Sequence, residues 1–262
     1  MERTWQLRAY MTIFAIFMLA PILVIVGVAV TAGDYVTFPP SGFSLRWFRQ
    51  VLADQAFMLA LLNSLKLGFV STIVSVMLTV PATVVLVRRP SSIASAIQVF
   101  MLSPLSLPTI ILAMGLLFLN ARMGLTSFWA LVAGHTVIVI PYVMRTVFAV
   151  YAGMNADIEH AALVHGAKPT QVFWHVTLPM LRPGVLAGAI FGFLMSFDEI
   201  SVALLLTDTK TTTLPVMILS FLVNNNDPSV AAVCTIQMLI AIGTLVALER
   251  FFGVRNLMFS AR

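Results

Sequence analysis

Six runs of mostly apolar residues, each long enough to cross a bilayer, constrain this chain more than any other feature. A spanning helix needs about 20 such residues to cover a hydrocarbon core of about 30 Å, where each backbone amide must bond within its own segment. The runs lie at about 9–30, 58–87, 94–119, 125–149, 184–206 and 229–248, the third broken by Pro104 and Pro108. Arg3 and Arg8 precede the first run as they would in a signal peptide. Its apolar stretch exceeds an h-region of about 7–15 residues, so a retained anchor is expected. The 262 residues are 60% hydrophobic and 10% charged, with a mean hydropathy of +1.01. Soluble domains carry about 25% charged residues. The expected fold class is an all-α membrane protein with six transmembrane helices in one domain, residues 1–262. Cys234 is alone, which excludes an internal disulfide or a cysteine-based metal cluster, and it reads as a small buried packing residue.

The net charge of +5 reports topology rather than nucleic acid, because the basic residues cluster between apolar runs. With the N-terminus inside, the inner flanks hold Arg3, Arg8, Arg88, Arg89, Arg145, Lys168, Arg182, Arg250, Arg255 and Arg262. The outer flanks hold Arg46, Arg49, Arg122 and Lys210, which orients both termini toward the cytoplasm. Asn63 and Lys66 close the outer end of the second run and are expected to snorkel. Outside, residues 44–55 mix Trp47, Phe48, Val51 and Leu52 with charges and predict a short amphipathic helix at the interface.

The polar segment at about 153–182 is expected on the cytoplasmic side, with its center reading EHAALVHGAKPTQVFWHVTLP from Glu159 to Pro179. Asn155 or Asp157 can cap a first helix through Ala161 and Ala162, and Gly166 can take the left-handed conformation that ends it. Pro169 suits the first turn of a second helix carrying Val172, Phe173 and Val176, until Leu178-Pro179 turns the chain back to the membrane. Apolar residues facing cytosol on such a helix–turn–helix point to a partner. His160 and His165 fall on different faces of a short helix and do not suggest a metal.

In the fifth run Gly184, Gly188, Gly192 and Ser196 recur every four residues, a small-residue ridge that admits another helix closely. Asp198 and Glu199 follow, with Glu199 on the ridge and Asp198 about 100° to one side if the helix continues. Carboxylates inside a membrane face protein interior or a water-filled cavity. Nearer the outer side, such a pair suits a cationic solute. The alternative is a structural pair satisfied by Lys66 or Arg145. His135 in the fourth run fits a packing role as well as a pathway role.

The spacing of an acid, Ala161-Ala162, Gly166 and Leu178-Pro179 resembles the EAA loop of permease subunits from binding-protein-dependent ABC importers. The family's acid usually stands immediately before the two alanines, where this chain has His160, with Glu159 one place earlier. SFDEISVALLL, TLPVMILSFL and DPSVAAVCT are similar to segments of the second permease of spermidine/putrescine importers, and the likeness runs on to LERFFG. The resemblance implies a type I importer permease fold. It also implies a homologous permease partner, two ATPase subunits that bind ATP and Mg, and an extracytoplasmic solute-binding protein. Glu159, His160, Ala161, Ala162, Gly166, Leu178 and Pro179 would then form the ATPase-coupling loop. Ser196, Asp198 and Glu199 would line the substrate pathway, and Gly184, Gly188 and Gly192 would pack helices. No cofactor is expected on this chain, and it sits among lipids of a bacterial inner membrane. Relatives with similar segments carry other solutes, amino acid derivatives or metal complexes. Without a GxxxxGK[S/T] loop, the chain cannot be its own ATPase. An ion-coupled carrier would not need the loop. An intramembrane enzyme would need a motif such as HExxH, which is absent, and neither Ser196 nor Ser201 stands in a hydrolase motif.

Overall fold

The computed structural model describes residues 2–224 and 227–252, with no side-chain placement for 2–4, 248, 249, 251 and 252. Arg255 and Arg262 of the charge pattern, and the end of the LERFFG segment, lie outside these. Eleven helices, α1–α11, follow in order among the described residues. They are Glu2–Ala29 (α1), Arg46–Ala53 (α2), Gln55–Arg88 (α3), Ser92–Leu102 (α4), Thr109–Met123 (α5), Ser127–Ala152 (α6) and Asp157–Val164 (α7). Then come Pro169–Asp198 (α8), Ser201–Leu206 (α9), Leu214–Asn224 (α10) and Ser229–Phe252 (α11). Five of them, α1, α3, α6, α8 and α11, are long and apolar enough to cross a membrane alone. The pair α4–α5, bent by 110°, is long and apolar enough only when taken together, which gives up to six spans among the described residues.

Prolines fix that bend where the sequence places it. Leu107 is extended (φ −98°, ψ 139°), as the residue before a proline prefers, and Pro108 caps α5 without an amide hydrogen. Pro141, by contrast, lies inside a continuous α6. The fifth run departs from expectation at both ends. Its helix begins at Pro169, so Leu178-Pro179 is no turn but part of α8. Pro179 has no N–H for the helical ladder, and one π-turn over Phe173–Thr177 takes up the mismatch, Leu178 N–H bonding back to Phe173 C=O. At the other end the helix stops at Asp198, and Glu199 is extended (φ −74°, ψ 120°).

The chain divides into two compact units, Met1–Ala60 with Val216–Gly243, and Leu61–Pro215 with Thr244–Arg262. In the first, α1 exposes Leu7, Phe14, Phe17 and Leu23, a surface only lipid or a partner helix can cover. The predicted outer helix is α2, with Trp47 and Val51 buried, and Arg46 pairs with Asp34 at 2.5 Å. Cys234 is half-buried rather than buried. α10 has no counterpart among the predicted elements.

The core of the second unit joins α3, α6 and α8. Val80 and Val84, then Val139, Val143 and Val147, recur at i, i+4 and meet Leu181 and Tyr151. Gly184, Gly188 and Gly192 form the expected ridge, against α6. A Cβ on Gly188 would lie 2.9 Å from Val143 Cα, and one on Gly184 2.9 Å from Thr146 O. These helices approach closely because the ridge has no side chains.

Candidate functional site: a coupling loop and a double helix break

At one end of the second unit the polar loop folds as its sequence requires. Asn155 Oδ1 accepts from Asp157 N at 2.9 Å to start α7, and Gly166 ends it at φ +88°, which a side chain would disfavour. Pro169 opens α8, and Gln171 Oε1 accepts from Lys168 N at 2.8 Å. The outward surface carries Ala161, His160, Val164 (85% exposed) and Trp174 (63% exposed). Val172, expected on that surface, is turned into the unit.

Glu159 is also turned inward, 8% exposed. Its carboxylate accepts from Arg88 Nε at 2.9 Å and Tyr151 OH at 3.1 Å, and also from Thr177 Oγ1. Arg88 Nη2 forms the ion pair and donates to Thr177 Oγ1 at 3.0 Å. Burial pushes the Glu159 carboxyl up, but the bonds from Arg88 and Thr177 and the Arg88 charge outweigh it and hold its pKa below the ordinary value. The loop's acid therefore grips α3, α6 and α8 rather than facing outward, which leaves His160 as its exposed neighbour.

About 45 Å along α8, at 1.5 Å per residue, the chain breaks at the carboxylates. Glu199 Oε1 accepts from Ser201 N at 2.7 Å and Val202 N at 3.3 Å, so it caps α9. Because the helix ends first, Glu199 is not on the glycine ridge, and backbone amides rather than Lys66 or Arg145 satisfy it. Thr109 Oγ1 lies 3.1 Å from Ser201 Oγ, which brings the break of α4–α5 beside this one. Between them is a cavity of about 100 Å³ lined by Pro104, Leu107, Thr109, Tyr142, Met195 and Glu199. Asp198 is exposed at the end of α8. Two interrupted membrane helices thus meet at one cavity that a carboxylate, Glu199, lines.

Ser196 stands apart from that cavity. It is 3% exposed, 2.8 Å from His135 Nδ1 and 3.0 Å from Ser71 Oγ. His135 is thus a packing histidine in a polar seam, and Ser196 belongs to the seam rather than to an open lining. The seam continues along α3 through Ser75, Thr79 and Thr83, all buried. Sequence reasoning passed over it, although Ser64, Gly68, Ser71, Ser75, Thr79 and Thr83 keep a spacing of three or four.

The loop after α9 was also missed. Asp208 Oδ2 accepts from Ser127 Oγ at 2.7 Å and its Oδ1 from Thr211 N at 2.8 Å. Hydrogen bonds from Ser127 and Thr211 lower its pKa to about 2. Asn63, expected only to snorkel, donates to Lys210 O at 2.9 Å and Thr212 O at 3.0 Å.

Residues 80–252, which include the loop, the glycine ridge and both carboxylates, match the family of binding-protein-dependent transport system inner membrane components. The chain belongs to this family. The permease is 32% identical to the molybdenum transport system permease protein ModB of Mycobacterium tuberculosis, covering 72% of this chain and 76% of that one. It is 30% identical to the putrescine transport system permease protein PotI of Escherichia coli, covering 84% and 81%. The spermidine/putrescine permease PotC of Haemophilus influenzae is 24% identical over nearly the whole of both chains. A bacterial ABC transporter involved in alginate import superposes with a TM-score of 0.73 at 18% identity, covering 96% of this chain and 97% of that one. The fold is that of a type I ABC importer permease. The protein is therefore a multi-pass membrane subunit of an ABC importer and not an enzyme.

Proposed function

We propose that this permease passes a small linear polycation of the spermidine/putrescine class. The observation that carries the reading is the double break, where Glu199 lines the cavity beside the start of α5 and Asp198 precedes it at the end of α8. A carboxylate pair attracts a cation and repels an oxyanion at short range. The names of two relatives, PotI and PotC, support the same class. Those of two others, ModB and the putative 2-aminoethylphosphonate permease PhnV, favour an anionic or zwitterionic solute.

Residues 1–262 act as one transmembrane permease domain in a bacterial inner membrane, with both termini in the cytoplasm. A homologous permease completes the pathway, two ATPase subunits bind ATP with Mg, and an extracytoplasmic binding protein delivers the solute. The ATPase docks on the exposed face of the loop, centred on His160, Ala161 and Val164, with Ala162 and Gly166 holding its shape. Leu178 and Pro179 continue the loop's second helix into the span, so a push on the loop moves the span that ends at the carboxylates. The solute meets Asp198 and Glu199 transiently while the pathway is open outward and leaves inward after it reverses.

Cells expressing the complete system should take up labelled spermidine or putrescine, with excess molybdate and 2-aminoethylphosphonate failing to compete. Competition by either anion, with no polyamine uptake, would reverse the assignment while leaving the importer class in place.

A further inference from the structure

We propose that the Arg88–Glu159 pair is the joint that carries loop motion to the second span, with Glu159 as a positioning residue. The inference rests on the reading that an ATPase docks on this loop. Covalent connection already ties α7 to α6 and α8 through short links, so those helices follow it directly. α3 has no such link, since Arg88 and Glu159 stand 71 residues apart in the chain. Their side chains cross the edge of a cavity of about 550 Å³, lined among others by Val87, Asn155, Leu163 and Pro169. Along this cavity the end of α3 meets α7 through charge-assisted hydrogen bonds.

The same carboxylate takes a bond from Tyr151 in the last turn of α6 and from Thr177 in the π-turn of α8. That turn, already relieved of one helical bond by Pro179, is a place where α8 can bend locally. A displacement of α7 therefore draws on three spans at one carboxylate. Removing the charge pair unties the end of α3 from α7 while leaving the core packing of α3 and the loop's outer face, which carries His160 and Val164, in place.

The test uses the assembled complex with its ATPase subunits in nanodiscs and needs no solute. Two quantities are read: the ATPase retained per permease, and the change in amide exchange at the break, residues 199–206, on trapping with ATP and vanadate. Glu159→Gln and Arg88→Gln should retain the ATPase, yet show an ATP-dependent change at least roughly fivefold smaller than wild type. The double variant should be no worse than either single one, and Arg88→Lys should recover part of the change. Thr177→Val, which removes one bond and no charge, should give a smaller loss in the same direction. An undiminished response in the two charge variants would overturn the joint, as would loss of ATPase and response in strict proportion. A wild-type complex that fails to retain the ATPase would overturn the docking reading and the joint with it.

Discussion

Glu159 and Glu199 lie 40 positions apart in a membrane chain, and each is satisfied by nearby donors, yet the donors give them opposite characters. Glu199 accepts from backbone amides at a helix start, with no cationic side chain paired to it among the described residues, the arrangement the proposed pathway uses. Glu159 binds a guanidinium and two hydroxyls, so its charge is already spent inside the protein. With its folded pKa held below the unfolded value of about 4.3, Glu159 stabilises α7 above that value. The contribution is lost as pH falls through the folded pKa. Amide exchange in α7, corrected for intrinsic rates, should therefore stay flat from about pH 7 to 5 and rise below about pH 4. In Glu159→Gln it should be raised already at pH 7 and show no further step of this origin. A wild-type profile no different from the variant's would remove the carboxylate from the account of loop stability.

At the scale of elements, close packing and breaks are both written in small residues and prolines. Gly188 faces Val143 Cα at 2.9 Å and Thr146 Oγ1 at 2.5 Å from the position a Cβ would take, so backbone would have to move. Gly188→Val should lower the stability of the purified subunit by about 1–3 kcal/mol, read as the midpoint of thermal unfolding in detergent. Gly115→Ala, with nothing of the chain within 4 Å, should leave it unchanged or slightly raised. At Gly166 the surroundings are open and the backbone is the constraint, so Gly166→Ala should cost about 1 kcal/mol. That loss should appear as faster exchange confined to α7 and the start of α8. The ridge, the broken third span and the left-handed glycine were legible because each is a local pattern with a local cause. The continuous α8 was not. Leu178-Pro179 reads as a stop signal, and only the compensating π-turn over Phe173–Thr177, which no local pattern announces, lets the helix run on. Glu199 was misplaced for the converse reason. Periodicity assumes the helix continues, and nothing local to Asp198 announces that it ends.

For the whole molecule, hydropathy was enough to read the membrane elements, because a bilayer leaves few ways to satisfy a backbone, and the importer class came from the loop's family resemblance. What they could not supply is long-range pairing. Glu159 with Arg88, Ser196 with His135, and Asn63 with the loop after α9 join residues 61 to 149 positions apart, and only the fold brings them together. The first of these pairings holds Glu159 inside the protein, whereas Asp198 and Glu199, at the helix break, are proposed to stand at the pathway. That division is the central claim, and the permease assembled with its ATPases and binding protein in proteoliposomes tests it most directly. Spermidine import and ATP hydrolysis should be measured together in wild type and in Glu199→Gln, which keeps an oxygen to cap α9 but loses the charge. Import should fall roughly tenfold, the loss of one charge-assisted contact, while the complex stays assembled and still hydrolyses ATP. Import that survives the loss of charge intact would return Glu199 to a purely structural cap and remove the carboxylates from the pathway.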